Sequence, residues 1–268
     1  MKIILENVSA GYEKNNFIIE NISTSFEEGG IIGIIGPNGS GKTTLLRSLS
    51  GVLPYEGNIR IETGTSNEND NKPLSMEISE TPRKKLSRFI SVLPQFSSAY
   101  FSYTVYDTIL MGRYVHKKGF LDSTSSEDKA AVENALKLTG LSDLKNKDLG
   151  SLSGGQLQRV LLARTIAQST PIMLLDEPMN HLDLKFQNEL LSFLETWSKR
   201  TTNVENTEYK NTVISVFHDI NIASQVSDKI LVMKDGNIKK EGPAQNILTH
   251  DLLCDIFETD VSRFITSR

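Results

Sequence analysis

The sequence predicts an α/β fold, and two buried strands are the main basis of that prediction. Residues 31–35 are Ile-Ile-Gly-Ile-Ile, a run typical of a strand covered on both faces of a sheet. Residues 171–175 form a second fully apolar strand, which brings Asp176 and Glu177 to its carboxyl end. The 268 residues allow one large domain or a main domain with a smaller lobe, and the 38% hydrophobic and 23% charged residues are ordinary for a globular protein.

The N-terminal part of the chain is expected to form an antiparallel sheet. Residues 2–8 alternate between apolar and polar side chains, and residues 17–19 and 22–26 are two more strand-like segments between polar turns. The first residues place only three apolar side chains before Glu6, so a signal peptide is not expected. No window approaches the roughly 18 apolar residues that a membrane-spanning helix needs, and we expect the protein to work in the cytosol.

Residues 36–43, Gly-Pro-Asn-Gly-Ser-Gly-Lys-Thr, follow the first buried strand directly and predict a phosphate-binding loop. The glycines allow positive φ angles, and the helix over residues 44–50 turns its unpaired N-terminal donors towards the same anion. Lys42 supplies a charge for the β and γ phosphates, and the Thr43 hydroxyl can bind Mg²⁺. The residues expected to bind the nucleotide here are Gly36, Pro37, Asn38, Gly39, Ser40, Gly41, Lys42, Thr43 and Thr44.

The segment that follows this loop mixes strands with polar stretches. Residues 57–62 and 89–93 predict strands, whereas residues 63–73 have no apolar periodicity and predict a long solvated loop. A basic run at residues 83–88 is better explained by a solvated helix face than by nucleic-acid or lipid binding. The net charge of −4 likewise gives no support to wholesale nucleic-acid binding.

Residues 96–150 are expected to be wholly helical and to form a second lobe, inserted between residues 1–95 and 151–268. The aromatic-rich residues 100–106 fit core packing and a docking surface about equally well. Residues 124–127, Thr-Ser-Ser-Glu, predict a capping box at the start of the next helix. The helical lobe and the strand-rich remainder are expected to belong to one domain.

A second helix start with anion-binding features follows at residues 152–156, Leu-Ser-Gly-Gly-Gln. Ser153 can cap a helix that runs to Ala167, and Gly154 and Gly155 leave backbone donors open to an anion. By itself, a capped helix after a flexible turn is the favoured interpretation of this segment.

Two carboxylates and a histidine lie at the carboxyl ends of predicted strands, where the ligands of open α/β sheets bind. A carboxylate near Thr43 would complete a Mg²⁺ shell, and a second one could orient a water for attack on the γ phosphate; Asp176 and Glu177 are the candidates. His218 ends the β-rich run at residues 212–217, although a lone histidine there more often has a structural role.

The C-terminal third also contains segments without a functional signal. Residues 200–211 are polar and predict a loop, and Asp235-Gly236 lies between two strand-like segments, the pattern of a hairpin. The single cysteine, Cys254, excludes an intrachain disulfide and fits a reducing compartment. Its expected role is that of a small core residue.

Together, these motifs resemble the ATP-binding cassette family over essentially the whole chain. The phosphate loop at residues 36–43, Gln95, the pentapeptide at residues 152–156, the strand and loop at residues 172–183, and His218 occur in the family's order. The resemblance implies a P-loop NTPase core of the RecA type, with an N-terminal antiparallel β subdomain and an inserted α-helical subdomain. It also implies that ATP and Mg²⁺ are bound.

The resemblance assigns roles to individual residues. Tyr12 matches the aromatic residue that stacks on adenine, and Gln95 matches the glutamine that contacts Mg²⁺ and the attacking water. Asp176 matches the Mg²⁺-associated carboxylate, Glu177 the general base, and His218 the switch residue near the γ phosphate. Two further matches concern a second cassette. Ser153, Gly154, Gly155 and Gln156 match the signature, which caps the ATP held by the partner subunit. Asp183 matches the loop that joins the two active sites.

A signature that completes a partner's site implies a two-fold homodimer with two ATP molecules between its subunits. Residues 93–95, 111–116 and 177–184 are further similar to the ATPase subunits of importers for iron-siderophore, haem and cobalamin. Such a subunit would lie on the cytoplasmic face of the membrane beneath two permease subunits, which an extracytoplasmic binding protein serves. Met179 and Leu157 depart from the family pattern, since Thr and a polar residue are usual there.

Other hypotheses compete with an importer ATPase. An ABC ATPase for another substrate, such as a zinc or manganese importer or an exporter, is the alternative within transport. A soluble cassette ATPase that acts on ribosomes or DNA would resemble two cassettes in one chain or would contain a very long coiled-coil insert, and the sequence suggests neither. A small-molecule kinase with the same phosphate loop would leave the pentapeptide and His218 without a purpose.

Overall fold

The computed structural model describes residues 1–13, 16–65, 73–95, 103–117, 119 and 123–261. In chain order its strands are β1 (Lys2–Ala10), β2 (Ile19–Glu27), β3 (Gly30–Ile35), β4 (Tyr55–Thr65), β5 (Pro73–Glu77), β6 (Ile90–Leu93), β7 (Ile172–Asp176), β8 (Thr201–Val204), β9 (Thr207–Lys210), β10 (Thr212–Val216), β11 (Lys229–Lys234) and β12 (Asn237–Gly242). Its α-helices are α1 (Lys42–Leu49), α2 (Arg83–Leu86), α3 (Val105–Leu110), α4 (Ser126–Leu138), α5 (Gly154–Ala167), α6 (Leu184–Ser198), α7 (Ile220–Val226), α8 (Ala244–Ile247) and α9 (His250–Phe257).

The central sheet has six strands in the order β12-β11-β3-β10-β7-β6, and all but β12 run parallel. Alternate side chains of β3 enter two different cores, because successive residues of a strand point to opposite faces. Ile31 and Ile35 pack with the helical side of the molecule, and Ile32 and Ile34 pack with α1 and the N-terminal sheet. The predicted burial of this strand on both faces is confirmed.

The N-terminal strands form the predicted antiparallel sheet, in the order β2-β1-β4-β5. Ile3, Phe26 and Ile59 of this sheet share a core with Leu45 and Leu49 of α1. The sheet therefore packs over the helix that follows the phosphate loop. The two short segments predicted at residues 17–19 and 22–26 are in fact one strand, β2, which begins at Ile19.

Two predicted loops contain strands, so both predictions are wrong in part. Strand β4 continues to Thr65 and β5 begins at Pro73, which places both ends of the predicted 63–73 loop in a strand pair; residues 66–72 lie outside the described residues. Within residues 200–211, β8 and β9 form a hairpin. Its turn residues Glu205 and Asn206 have φ angles of 54° and 68°, the positive values that tight hairpin turns require.

Helices and 3₁₀ turns make up the regular structure of the described part of residues 103–150. Besides α3 and α4 it contains 3₁₀ turns at Met111–His116, Ser142–Leu144 and Leu149–Ser151. The boundaries of the helical lobe stay a prediction, and residues 96–102 lie outside the description. No helix in the part of the chain that the structure describes is long and apolar enough to cross a membrane.

The capping box of α4 lies one residue later than predicted. Ser125, rather than Thr124, is the N-cap, and Asp128, rather than Glu127, closes the box. The buried guanidinium of Arg113 decides between the two registers, because its Nε donates to Asp128 Oδ1 over 2.9 Å. An apolar lobe cannot leave such a cation without a carboxylate partner.

The parallel strands bring the predicted site residues to one edge of the central sheet. Val216 at the end of β10 lies opposite Ile34 of β3 on one side and Asp176 of β7 on the other. The chain leaves these neighbouring strands into the phosphate loop, into Glu177 and into His218. All three therefore meet at the carboxyl edge, where open α/β sheets bind their ligands.

Candidate functional site

A cavity of about 500 Å³ lies at this carboxyl edge, and the phosphate loop forms much of its wall. We call it the loop cavity. It joins six of the predicted nucleotide-binding residues to the predicted catalytic residues Gln95, Glu177 and His218. Its lining residues are Ile18, Asn38, Gly39, Gly41, Lys42, Thr43, Thr44, Gln95, Glu177 and His218.

The glycines of the loop are required where the backbone bends most sharply. Gly36 has a φ angle of 153°, and a Cβ there would lie 2.1 Å from the carbonyl oxygen of Met233. Gly41 caps α1 with a φ angle of 95°, and a Cβ there would lie 2.5 Å from Ile19 Cγ2. Any other residue would push the loop away from β2 and β11. The loop is thereby held with the first amides of α1 directed at the cavity.

The Lys42 side chain lies inside the phosphate loop and bonds to its backbone. Its Nζ donates to the carbonyl oxygens of Gly36 and Pro37, each over 2.8 Å. Burial lowers the pKa of this ammonium, and the nearby carboxylates of Glu177 and Asp176 oppose that shift. An anion in the loop would favour the charged form further, so the site is electrostatically suited to a polyphosphate.

Asp176 lies beside Thr43, as the sequence predicts for a pair of metal ligands. The Thr43 hydroxyl donates to Asp176 Oδ1 over 3.1 Å. Burial raises the pKa of the Asp176 carboxyl, and the hydrogen bond from Thr43 partly counteracts this. A buried carboxylate with a neighbouring hydroxyl is an all-oxygen set, the kind of site that a hard divalent cation prefers.

Glu177 is the most highly connected carboxylate of the site. Its Oε2 accepts from Gln95 Nε2 over 3.0 Å and from Asn180 Nδ2 over 2.6 Å, and its Oε1 lies 2.6 Å from His218 Nε2. The residue is 9% exposed and has a φ angle of 54° at the point where the chain leaves β7. That turn directs Glu177 into the cavity beside Asp176, although adjacent residues of a regular strand would face opposite ways.

The signature segment, residues 152–156, lies outside the loop cavity. Ser153 and Gln156 form a capping box at the start of α5, in which Ser153 Oγ accepts from Gln156 N over 3.3 Å and Gln156 Oε1 accepts from Ser153 N over 3.0 Å. Gly155 packs against the carbonyl of His181, which a Cβ would approach to 2.8 Å. Residues of the phosphate loop line the loop cavity of the described chain, but the signature glycines of the same chain do not.

Tyr12 and Asp183 are also absent from the described lining of the loop cavity. Tyr12 is 52% exposed, and its hydroxyl accepts from Arg47 of α1 over 3.0 Å. Asp183 caps α6 and pairs with Arg159 Nη2 over 2.8 Å. Stacking on adenine and contact with a second cassette therefore stay predictions for these two residues.

Comparison with known proteins agrees with this geometry. The model of the family described as ABC transporter matches residues 19–180, more than half of the chain. The chain belongs to the ABC transporter family. The predicted family, the P-loop NTPase fold and the class of ABC-type ATPase are thereby confirmed.

Individual relatives in the ABC family match over nearly the whole chain. An uncharacterized ABC transporter ATP-binding protein of Bacillus subtilis (strain 168), YvrA, is 36% identical over 97% of this chain, which spans only 54% of YvrA. The iron(3+)-hydroxamate import ATP-binding protein FhuC of the same organism is 33% identical over 95% of this chain and 87% of its own length. A solved dimeric cassette, MJ0796 in a post-hydrolysis state with ADP and Pi, has 26% identity and a TM-score of 0.74, with coverage of 90% of this chain and 98% of its own.

Sequence reasoning missed two residues of this ABC site. Asn180 lies within the strand and loop at residues 172–183, and the sequence assigns it no role, yet its amide contacts Glu177 more closely than Gln95 does. The only available signal was its position, three residues after Glu177 in a turn. Ile18 lines the loop cavity from the N-terminal sheet, and no sequence pattern pointed to it.

The two departures from the ABC family pattern have packing explanations. Leu157 is buried in the core between α5 and its neighbours, where an apolar residue is stabilising. Met179 is partly buried against the same core and lines a smaller cavity of about 150 Å³ beside Glu177. Neither residue is among those that line the loop cavity in the described chain.

Proposed function

We propose that this chain hydrolyses ATP to drive uptake of a metal chelate through a membrane permease. The observation that carries the proposal is the placement of Glu177 in the wall of the loop cavity, with three polar partners around its carboxylate. The name of FhuC, an iron(3+)-hydroxamate import protein, supports iron-siderophore as the first substrate class, with haem and cobalamin as the related alternatives.

The triphosphate of ATP fits the charge pattern of the loop. Its β and γ phosphates would lie over the amides that open α1, and the Lys42 ammonium would exchange its bonds to the Gly36 and Pro37 carbonyls for phosphate oxygens. Tyr12, exposed beside α1, is in our proposal the residue that stacks on the adenine ring.

Thr43, Asp176 and Gln95 would hold Mg²⁺. Adjacent ligands of an octahedral ion with bonds of about 2.0–2.1 Å lie roughly 2.9 Å apart. Thr43 Oγ1 and Asp176 Oδ1 are 3.1 Å apart, so these oxygens fit such an ion with little movement. Bound Mg²⁺ would neutralise charge on the β- and γ-phosphate oxygens.

Glu177 would act as the general base for the attacking water. Both of its oxygens have partners in this structure, so the base must release one of them. His218 is the partner that we assign to leave: its Nε2 can donate to a γ-phosphate oxygen in place of Glu177 Oε1. That oxygen would then accept the water proton, while Gln95 and Asn180 hold the other carboxylate oxygen in position.

A second copy of the chain would complete the site. The signature segment lies away from the loop cavity of its own chain, and the similar MJ0796 cassette is dimeric. In a two-fold dimer, Ser153, Gly154, Gly155 and Gln156 of one subunit would cap the ATP held by the other, with Asp183 between the two sites.

The helical lobe would contact two permease subunits on the cytoplasmic face of the membrane. Tyr103, Met111 and Tyr114 expose 45%, 43% and 57% of their surfaces there, and aromatic and methionine side chains are enriched at protein interfaces. Within the described part of the aromatic segment, Tyr103 fits a docking surface, whereas Val105 is buried and Tyr106 packs against the core. A substrate-binding protein outside the membrane would act on the permease, and nucleic acid is not a partner in this proposal.

The variant Glu177→Gln tests the catalytic part of the proposal. It should retain ATP affinity but hydrolyse ATP about 10²- to 10⁴-fold more slowly, the usual contribution of a general base. The matched comparison is Lys42→Ala, which should lose affinity for ATP instead. Wild-type turnover by Glu177→Gln would remove Glu177 from the mechanism.

Purification from membranes tests the transport part. The chain should co-purify with a polytopic permease, and ATPase activity of the reconstituted complex should rise when a binding protein loaded with an iron-siderophore is added. Recovery of the chain only with ribosomes or DNA would favour the soluble cassette alternative.

A further inference from the structure

We propose that His250, Cys254 and Asp260 form a binding site for a divalent transition metal of the Zn²⁺ type, separate from the nucleotide site. Each residue offers one ligand atom, and the three atoms lie within 4.8 Å of one another. The three residues belong to α9 and the turn that follows it, and none of them lines the loop cavity in the described chain.

The local fold brings the three side chains together. His250 and Cys254 are four residues apart on α9, so they lie one above the other on the same face of the helix. Glu258 follows with a φ angle of 54°, which ends the helix in a left-handed turn. The reversal of the chain returns Asp260 to the His250 end of that face, where its Oδ1 lies 3.4 Å from His250 Nε2.

The distances match those of a tetrahedral metal shell. With metal–sulfur bonds of about 2.3 Å and metal–nitrogen and metal–oxygen bonds of about 2.0–2.2 Å, a tetrahedral ion holds sulfur and nitrogen roughly 3.6 Å apart, and nitrogen and oxygen roughly 3.4 Å apart. Cys254 Sγ lies 3.6 Å from His250 Nε2, and Asp260 Oδ1 lies 3.4 Å from the same nitrogen. These two distances are those of a tetrahedral shell, and the third, from Cys254 Sγ to an Asp260 oxygen, is at most 4.8 Å. The sulfur also lies 3.7 Å from His250 Nδ1, so it faces the ring, and the exposed His250 ring must turn for Nε2 and Sγ to bind the same ion.

The ligand types select the class of metal. A thiolate, an imidazole and a carboxylate suit Zn²⁺ and its spectroscopic substitute Co²⁺, whereas Mg²⁺ and Ca²⁺ prefer oxygen ligands alone. Three protein ligands leave a fourth position for water, and the site can admit it because the His250 and Asp260 side chains are 52% and 75% exposed. Asp251 Oδ1 lies 3.6 Å from His250 Nδ1, close enough to orient the ring as an outer-shell carboxylate.

Cys254 is not the buried core residue that the sequence suggests. It is a free thiol of intermediate burial that packs only against the edge of the core, and its sulfur faces the His250 ring. At the edge of the core and beside an imidazole, this sulfur is accessible to a metal ion that also binds the ring. Metal binding would join the segment after α9 to the helix itself.

The test uses the full, untagged and reduced chain with Co²⁺ alone, and then Zn²⁺ alone as a competitor. Because the chain has one cysteine, thiolate-to-cobalt charge-transfer absorption can arise only from Cys254. Wild-type protein should show this absorption at one Co²⁺ per chain, and Zn²⁺ should abolish it. Cys254→Ser should lack it, and His250→Ala should weaken the affinity by more than the roughly 10- to 100-fold that loss of an outer-shell partner causes.

The matched control is Asp255→Asn, which removes another exposed carboxylate of α9 that is not one of the three ligands. It should bind Co²⁺ as the wild type does. Unchanged circular dichroism and melting temperature of the metal-free variants would show that each is folded. The proposal is overturned if the wild type gives no charge-transfer absorption, or if His250→Ala and Asp260→Asn both retain it at wild-type affinity.

Discussion

At the scale of single residues, the carboxylate of Glu177 depends on its neighbours for its position. Asn180 and Gln95 donate to the same oxygen and thereby restrict the rotation of the carboxylate. The shorter of the two bonds, from Asn180, is 2.6 Å long. Asn180 is therefore a positioning residue for the proposed base, although it does not line the loop cavity.

The variant Asn180→Ala should reduce kcat about 10- to 150-fold while leaving the affinity for ATP unchanged, since a hydrogen bond to a charged group contributes about 1.5–3 kcal/mol. Steady-state kinetics and ATP titration measure the two quantities separately. The control is Asn188→Ala, an exposed asparagine on α6. A loss of ATP affinity with unchanged kcat would contradict the positioning role.

Because of Asp176, we expect Mg²⁺-dependent nucleotide binding to vary with pH. Burial raises the pKa of its carboxyl, and only the ionised form can bind Mg²⁺. Protonation of Asp176 at low pH should therefore weaken Mg²⁺-dependent nucleotide binding. Because the pKa of Asp176 is raised, this loss should begin at a higher pH than it would for an ordinary aspartate, whose pKa is about 3.9. Because ATP also titrates, the measured quantity is the affinity ratio of the wild type to Asp176→Asn. A ratio independent of pH would contradict the prediction.

The sequence predicts the residues of the loop and strand ends better than the contacts between them. Gly36, Lys42, Thr43 and Asp176 follow from spacing, because strand, loop and helix periodicity fix where they lie. The bond from Asn180 depends on a turn in which Glu177 has a positive φ angle, and no side-chain pattern specifies that angle for a glutamate.

At the scale of elements, the hairpin β8–β9 shows where periodicity fails. Among its eight strand residues, Val204 and Tyr209 are the buried ones, so alternation is too sparse to distinguish the hairpin from a polar loop. Tyr209 packs edge-on against Phe89, with ring centroids 5.8 Å apart. The hairpin thus packs on the core through Val204 and Tyr209, and Phe89, the aromatic partner of Tyr209, lies far away in sequence.

Tyr209→Ala should lower the free energy of unfolding by about 3 kcal/mol, as expected for truncation of a buried aromatic side chain. Glu208→Ala, on the exposed face of the same strand, is the matched control and should change it by less than about 0.5 kcal/mol. Urea denaturation followed by circular dichroism measures both. Equal stability of the two variants would mean that the hairpin does not pack on the core in solution.

The α4 capping box illustrates a second limit of local patterns. The sequence predicts a box of Thr124 with Glu127, whereas the structure has Ser125 with Asp128, one residue later. The observed register follows from Arg113, which needs a carboxylate inside the helical lobe. A tertiary ion pair, rather than helix propensity, selects the helix start.

At the scale of the whole molecule, the signature segment lies away from the loop cavity of the same chain. Ser153 lies at the start of α5, whereas the loop cavity is lined by residues from the β2, β3, β6, β7 and β10 ends. The sequence implies this division only through the family resemblance, because contacts between copies leave no periodic pattern in one chain. In the proposed two-fold dimer, the signature segment of each subunit would serve the loop cavity of the other.

ATP-dependent association should therefore require Ser153. In the Glu177→Gln background, where hydrolysis is slow, ATP and Mg²⁺ should convert the chain from monomer to dimer in size-exclusion chromatography with light scattering. Adding Ser153→Glu should keep the chain monomeric, because the introduced carboxylate would repel the negatively charged γ phosphate of the partner's ATP. Ser151→Glu introduces the same charge two residues earlier at another exposed serine and should leave the dimer intact. Dimerisation of the Glu177→Gln, Ser153→Glu double variant to the same extent would show that the signature does not cap a partner's nucleotide.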